Sequence, residues 1–125
     1  MKPFMIGDRR LAFDITNADD LRRLETGFAS LCAQHDRYTA EMAGEGMSAS
    51  EQMRALYDMY RAFFETVFPG RGEEIVGAEP SVAHAQRAFS RFAVYLRTSL
   101  EEEAQQEDTV RSLFLGDGTA SVGGA

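Results

Sequence analysis

The sequence predicts a mainly α-helical fold: three long helices in a small bundle, a short connecting helix and an N-terminal β-hairpin. Three segments, over residues 21–42, 53–67 and 82–96, repeat apolar residues at alternating three- and four-residue steps. This spacing places each apolar set on one face of an α-helix. Because a helix with one apolar face must bury that face against another element, we expect the three helices to pack together.

The hairpin is predicted at the start of the chain, over residues 4–15. Two short apolar runs, Phe4–Ile6 and Leu11–Ile15, flank the polar segment 7–10, which begins with Gly-Asp. Apolar runs on both sides of such a turn are typical of a β-hairpin. An isolated hairpin is only marginally stable in water, so we expect this one to pack on the helices, at the edge of the bundle.

The first two long helices are predicted over residues 18–43 and 49–68. Asn17 is a favourable N-cap for the first helix, and a glycine-rich segment follows its predicted end. Ser48 and Glu51 have the spacing of a capping box, in which their side chains accept hydrogen bonds from free backbone amides at the helix start. A Pro-Gly pair follows the second helix and cannot continue it.

The second half of the chain predicts a short helical turn over 72–77 and a third long helix over 80–103. We expect a single helical domain over 1–106 and a flexible C-terminal tail over 107–125. The tail contains one apolar run, 110–115, which either docks on a partner or folds back on the core. The remainder of the tail is low in complexity and offers little apolar surface to bury.

The apolar stripes also predict which side chains form the core. The expected core residues are Leu24, Phe28, Leu31, Leu56, Tyr60, Phe63, Phe89, Phe92 and Leu96.

The second helix has a wider apolar surface than the ~100° arc expected of a helix with one buried face. Tyr57, Met59, Phe64 and Phe68 lie beside its main stripe. These four residues are the candidates for a partner-binding surface, because aromatic anchors often carry much of the energy of helix binding. Complete burial in the core, or burial in a homodimer, is the alternative and simpler explanation.

The composition predicts a soluble, cytoplasmic protein. A chain of 125 residues fits one domain. No stretch approaches the ~18 consecutive apolar residues of a membrane-spanning helix, and the N-terminal residues do not form a signal peptide. The single Cys32 excludes an intrachain disulfide and suits a reducing compartment. We therefore expect no membrane partner.

The charge argues against a nucleic-acid partner. The net charge is −7, whereas surfaces that bind phosphate groups carry an excess of bases. Residues 1–48 carry 8 acids and 6 bases, residues 49–80 carry 6 and 3, and residues 81–125 carry 6 and 4. This spread favours plain solubility over a surface that mimics DNA. The local exception is segment 101–108, with five acids and no base.

The sequence predicts no catalytic, cofactor-binding or metal-binding site. Cys32 and His35 stand one helical turn apart, but a zinc site needs three or four ligands, and His84 is the only other histidine. As a nucleophile and base, the first two would point into a packing seam that excludes substrate. Segment 69–72 lacks the Lys-Ser/Thr ending of a phosphate-binding loop. We therefore predict a protein that is not an enzyme, binds a protein partner and can form a homo-oligomer.

Three packing motifs carry a resemblance to a known family. In segment 63–77 a double-aromatic helix end leads into a glycine turn and a short helix that ends in glycine. In segment 85–92 the last helix has an alanine–aromatic core, and in segment 11–20 a short strand leads into an acidic helix cap. The chain thereby resembles, over roughly residues 10–100, a family of small acidic helical proteins from long-tailed bacteriophages and their prophages. It departs from the usual family pattern at Pro69, and the tail has no family counterpart.

Such proteins resemble tail-assembly chaperones, which coat the long helical tape-measure protein before the tail tube polymerises. The resemblance implies a phage or prophage accessory protein, located in the cytoplasm of the bacterial host, that binds the tape-measure protein through helix–helix contacts. The family offers no catalytic residues to transfer. The alternative interpretation is an acidic phage-encoded inhibitor of a host defence nuclease, which clustering of surface acids on one face would favour.

Overall fold

The computed structural model describes residues 2–44 and 46–124, with side chains described as far as Leu113. The described residues form a mainly helical fold with a two-stranded antiparallel hairpin, which confirms the predicted class. In chain order the elements are β1 (Phe4–Ile6), β2 (Arg9–Leu11), α1 (Ala18–Gly44), α2 (Ala49–Val67), α3 (Gly72–Val76) and α4 (Val82–Gly124).

The hairpin is tighter than the sequence indicated. Phe4 pairs with Leu11, and only Gly7 and Asp8 form the turn, so the two following arginines belong to β2. Gly7 has a φ of 60°, which is the left-handed conformation that two-residue hairpin turns require. The second strand ends at Leu11 instead of continuing to residue 15, because the chain then turns toward α1.

The predicted helix starts are confirmed by their capping contacts. The side-chain oxygen of Asn17 accepts hydrogen bonds from the backbone amides of Asp19 and Asp20, each at 3.0 Å. At the start of α2, the Glu51 amide donates to the Ser48 hydroxyl at 3.1 Å, and the Ser48 amide donates to the Glu51 carboxylate at 3.0 Å. Both capping groups satisfy amides that the helix itself leaves free.

The turn between α2 and α3 is held by one carboxylate. Glu65 accepts hydrogen bonds from the backbone amides of Gly70 and Gly72, which brings the start of α3 against α2. A Cβ at Gly72 would lie 2.8 Å from the carbonyl oxygen of Arg61. The contact therefore requires glycine, and it places α3 beside α2.

The last helix differs from the prediction at its C-terminal end. The sequence predicts an end near residue 103, but α4 continues to Gly124. Residues 99–113 contain no glycine or proline and are rich in strong helix formers, which explains the continuation. The side chains of 104–113 are exposed. The predicted flexible tail, 107–125, lies partly outside the described residues, which include no side chain beyond Leu113.

The hairpin, α3 and one face of α4 enclose one side of α2, which we call the closed side. The Phe4 ring lies 5.0 Å from the Phe92 ring and 6.0 Å from the Phe68 ring, measured between centroids. The hairpin therefore packs on the helices, as predicted, and its residues Phe4 and Leu11 belong to the core. The buried apolar residues of this side are Phe4, Leu11, Phe13, Tyr57, Phe64, Phe68, Ile75, Val76, Ala85, Ala88 and Phe92.

The core predicted from the three stripes is buried only in part. Leu24, Phe63 and Phe92 are buried, as predicted, whereas Phe28 is 38% exposed. These stripe residues lie toward the side where α1 and α4 flank α2, and there no other described element covers them. The remaining predicted core residues are half-buried: Leu31, Leu56, Tyr60, Phe89 and Leu96.

Candidate partner-binding groove

The four residues that the sequence offered as a partner-binding surface are all buried. Tyr57, Met59, Phe64 and Phe68 are between 0% and 6% exposed. Their helix lies between α1, α3 and α4, so it needs apolar residues on more than one face. Burial in the core, the alternative that the sequence left open, accounts for Tyr57, Phe64 and Phe68. Met59 is buried as well, but it lines the smaller depression of the groove described next, so it belongs to the candidate surface.

An apolar groove runs between α1 and α4. It consists of two depressions of about 340 Å³ and about 240 Å³, and the ring of Phe89 lines both. We call this feature the α1/α4 groove. Its principal lining residues are Phe28, Leu31, Cys32, Tyr60, Phe89, Ala93, Leu96 and Leu100.

Three aromatic rings form the centre of the groove. Phe28 on α1 and Phe89 on α4 face each other with centroids 6.3 Å apart. Beneath them lies the buried ring of Phe63 on α2, 5.0 Å from the first ring and 5.2 Å from the second. The two partly exposed rings therefore pack on a buried ring at the centre of the groove.

A close contact between α1 and α2 sets the position of Phe28. A Cβ at Gly27 would lie 3.1 Å from a methyl carbon of Val67 and 3.2 Å from the Phe63 ring. The missing side chain at position 27 therefore lets the two helices approach closely. The next residue along α1 points beside this contact instead of into it, which places the Phe28 ring on the groove wall.

The two ends of the groove carry few charges. Asp36 lines the depression near Tyr60, and Arg97 lines the depression near Leu100. Leu100 is 56% exposed, so the apolar surface continues to the groove mouth. The arrangement suits an apolar helix face better than a charged ligand, because aromatic and aliphatic side chains dominate the lining.

Cys32 and His35 lie on the wall of the groove and not in a closed seam. Cys32 is exposed, and both residues line the smaller depression. Within the described residues no three His, Cys, Asp or Glu side chains are grouped so that they could hold a metal ion. No helix in the same part of the chain is long and apolar enough to cross a membrane.

The apolar stripes include Phe28, Phe89 and Leu96, and the sequence predicted that all three lie in the interior. The pattern of a stripe is the same whether a neighbouring element covers it or leaves it open, so the sequence contains no signal that separates the two cases. Searches of protein-family models, curated proteins and solved structures find no match to this chain.

Proposed function

We propose that this chain is a phage or prophage accessory protein that binds an amphipathic helix of a protein partner in the α1/α4 groove. The partner is the tape-measure protein, and the chain acts as a tail-assembly chaperone in the cytoplasm of the bacterial host. The observation that carries the proposal is the partly exposed aromatic pair Phe28 and Phe89, held over a buried ring.

The dimensions of the groove support a helical ligand. On α4 its lining extends from Phe89 to Leu100, which at 1.5 Å per residue corresponds to about 17 Å, or about three helical turns. An apolar stripe on a partner helix repeats over the same distance at three- and four-residue steps. Such a stripe would cover the two aromatic rings and would complete a four-helix arrangement around α2.

The resemblance to tail-assembly chaperones supports the identity of the partner. A tape-measure protein is long and helical. Before assembly, the apolar stripes on its helices must be covered by another protein if it is to remain soluble. A small acidic protein with an open apolar groove and a net charge of −7 would supply that cover and add solubility.

Co-expression with the tape-measure protein of the same phage or prophage tests this function. We expect more soluble tape-measure protein and a complex on a sizing column. Leu100→Glu, which places a charge at the groove mouth, should weaken the complex at least tenfold. The matched control is Met5→Glu, because Met5 on β1 is 44% exposed and lies outside the groove lining. This variant should bind like the unaltered chain.

Two results would contradict the proposal. One is an equal loss of binding in the groove variant and its control, which would show that the interface lies outside the groove. The other is failure of the two proteins to co-elute, combined with inhibition of a purified host defence nuclease by this chain. The second result would favour the nuclease-inhibitor function instead.

A further inference from the structure

One exposed face of α4 separates bases from acids along its length. Starting at His84, residues at alternating three- and four-residue steps share this face, and all of them are exposed. We call it the α4 charge face. It consists of His84, Arg87, Arg91, Val94, Thr98, Glu101, Gln105 and Asp108. This is the seam spacing of a coiled coil. The end of the face at His84 lies beside α3, and the part from Val94 onward is exposed.

The basic half of the face has no acidic partners of its own. Arg87 and Arg91 form no ion pair within the part of the chain that the structure describes. They stand four residues apart, a spacing at which like charges on a helix repel. Together with His84 they line a pocket of about 290 Å³ between α3 and α4.

The neighbouring carboxylate in this pocket is already neutralised. Glu74 on α3 forms ion pairs of 2.7 Å with Arg71 and with Arg9. The hydrogen bond from Arg71, followed by that from Arg9, holds the pKa of Glu74 below its usual range. Two guanidinium groups therefore share one carboxylate, and the pocket keeps an excess of positive charge in a chain whose net charge is −7.

The acidic half of the face is equally without partners. Glu101 and Asp108 form no ion pair among the described residues, where the only pair in segment 101–113 joins Glu107 to Arg111. The charges within each half repel one another, whereas the two halves are complementary. The two halves lie too far apart along one straight helix to meet, since Arg91 and Glu101 are separated by about 15 Å of helix rise.

We propose that the α4 charge face is the interface of an antiparallel homodimer, in which the basic half of each copy binds the acidic half of the other. The residues are arranged symmetrically about position 96 of the helix. Arg91 and Glu101 are equally distant from that position, and so are His84 and Asp108. A two-fold axis there brings Arg91 of one copy beside Glu101 of the second copy and His84 beside Asp108, while Arg87 meets the amide of Gln105, and every pair occurs twice.

The centre of this interface is apolar and its ends are charged. Val94, which is 50% exposed, meets Thr98 of the second copy beside the two-fold axis. The nearer edge of the face lies about 100° around α4 from Ala93 and Leu100, which line the α1/α4 groove. The inference goes beyond the proposed chaperone function and does not depend on it.

Sedimentation of the purified full chain tests the proposal directly. We expect a dimer at about 0.02 M salt and at least tenfold weaker association at about 0.5 M salt, because exposed ion pairs are screened. Arg91→Glu and Glu101→Arg should each weaken the dimer at least tenfold. The double variant, which exchanges the two charges, should dimerise again. Arg54→Glu on α2 is the matched control, since Arg54 is exposed and lies outside the face.

Circular dichroism of each variant should match that of the unaltered chain, so that loss of the dimer reports on the interface alone. A monomer at low salt in the unaltered chain would overturn the proposal. A dimer that persists unchanged in Arg91→Glu, or a double variant that stays monomeric, would overturn it as well. Loss of tape-measure binding with the dimer intact would contradict the proposed function of the groove and would leave the dimer unaffected.

Discussion

On the closed side of α2, Phe64 and Phe68 pack against the Phe92 ring of α4, and Phe68 also packs against the Phe4 ring of the hairpin. Both side chains are at most 6% exposed. On the other side, Phe28 and Phe89 face each other across a groove that no described element covers. One side of α2 therefore faces a closed core, and its other side faces an open groove. The difference is that the hairpin and α3 cover only the first side, so stability and binding reside on different faces.

The strongest way to test this comparison is to shorten one ring on each side. Phe64→Ala should lower the free energy of unfolding by about 3–5 kcal/mol, because it removes a completely buried ring and leaves a cavity. Phe28→Ala should cost less than half as much, since its ring is already partly solvated. Denaturant unfolding of both variants measures the difference, and equal losses would show that the groove is closed in solution.

The turn beside α3 offers a second test of the closed side. Gly72→Ala should destabilise the fold by about 1–3 kcal/mol, because the added Cβ would overlap the Arg61 carbonyl and move α3 away from α2. Gly44→Ala is the matched control, since a Cβ there meets no atom within 4 Å. Thermal unfolding of the two variants should differ by several degrees. A difference near zero would mean that α3 does not pack as described.

A smaller effect is expected where the N-terminal segment meets α4. The single O–H of Tyr95 is shared between the carbonyl oxygens of Lys2 at 2.6 Å and Phe13 at 3.1 Å. Tyr95→Phe removes this shared hydrogen bond and should cost about 1 kcal/mol. Denaturant unfolding near pH 7 measures this loss, and an unchanged free energy of unfolding would indicate that the segment is held by apolar contacts alone.

The same tyrosine should make stability depend on alkaline pH. Burial, reinforced by the charges of Asp14 and Asp20, raises the pKa of Tyr95 above its ordinary value of 10.0. The unfolded chain then loses this proton first, so the contribution is complete below about pH 10 and declines as the pH rises further. In that range the free energy of unfolding of the unaltered chain should fall more steeply with pH than that of Tyr95→Phe.

The smallest effect is expected at the C-terminus. The free energy of unfolding of a chain that ends at Gln106 should lie within about 0.5 kcal/mol of that of the full chain, because the side chains of 104–113 are exposed and contribute no core contact. Limited proteolysis and thermal unfolding measure this. A loss above about 1 kcal/mol would show that the last segment packs on the domain, as the fold-back alternative for 110–115 requires.

Local chemistry made most of the fold predictable from the sequence. The Asn17 cap, the Ser48 capping box and the Pro-Gly pair after α2 act over a few residues, and the helix boundaries near them are confirmed. The C-terminal end of α4 was missed because the residues that follow 103 include no glycine or proline before Gly116. These successes and failures concern contacts between residues close in sequence.

The candidate site was harder to predict because it depends on contacts between distant residues. Phe4 and Phe13 join the core only when the hairpin folds over α2, and nothing in their own segment indicates that partner. Both rings pack against Phe68, which the sequence offered as a surface. The groove exists because no comparable element covers Phe28. The sequence around Phe28 does not indicate whether another element will cover it.

The most direct test of the central claim combines binding and stability in one variant. Titration of a tape-measure segment into Phe28→Ala, followed calorimetrically, should show at least tenfold weaker binding than the unaltered chain. Its free energy of unfolding should fall by less than half of the loss in Phe64→Ala. Unchanged affinity together with a full core-like loss of stability would contradict the account, because Phe28 would then be an interior residue and not a binding surface.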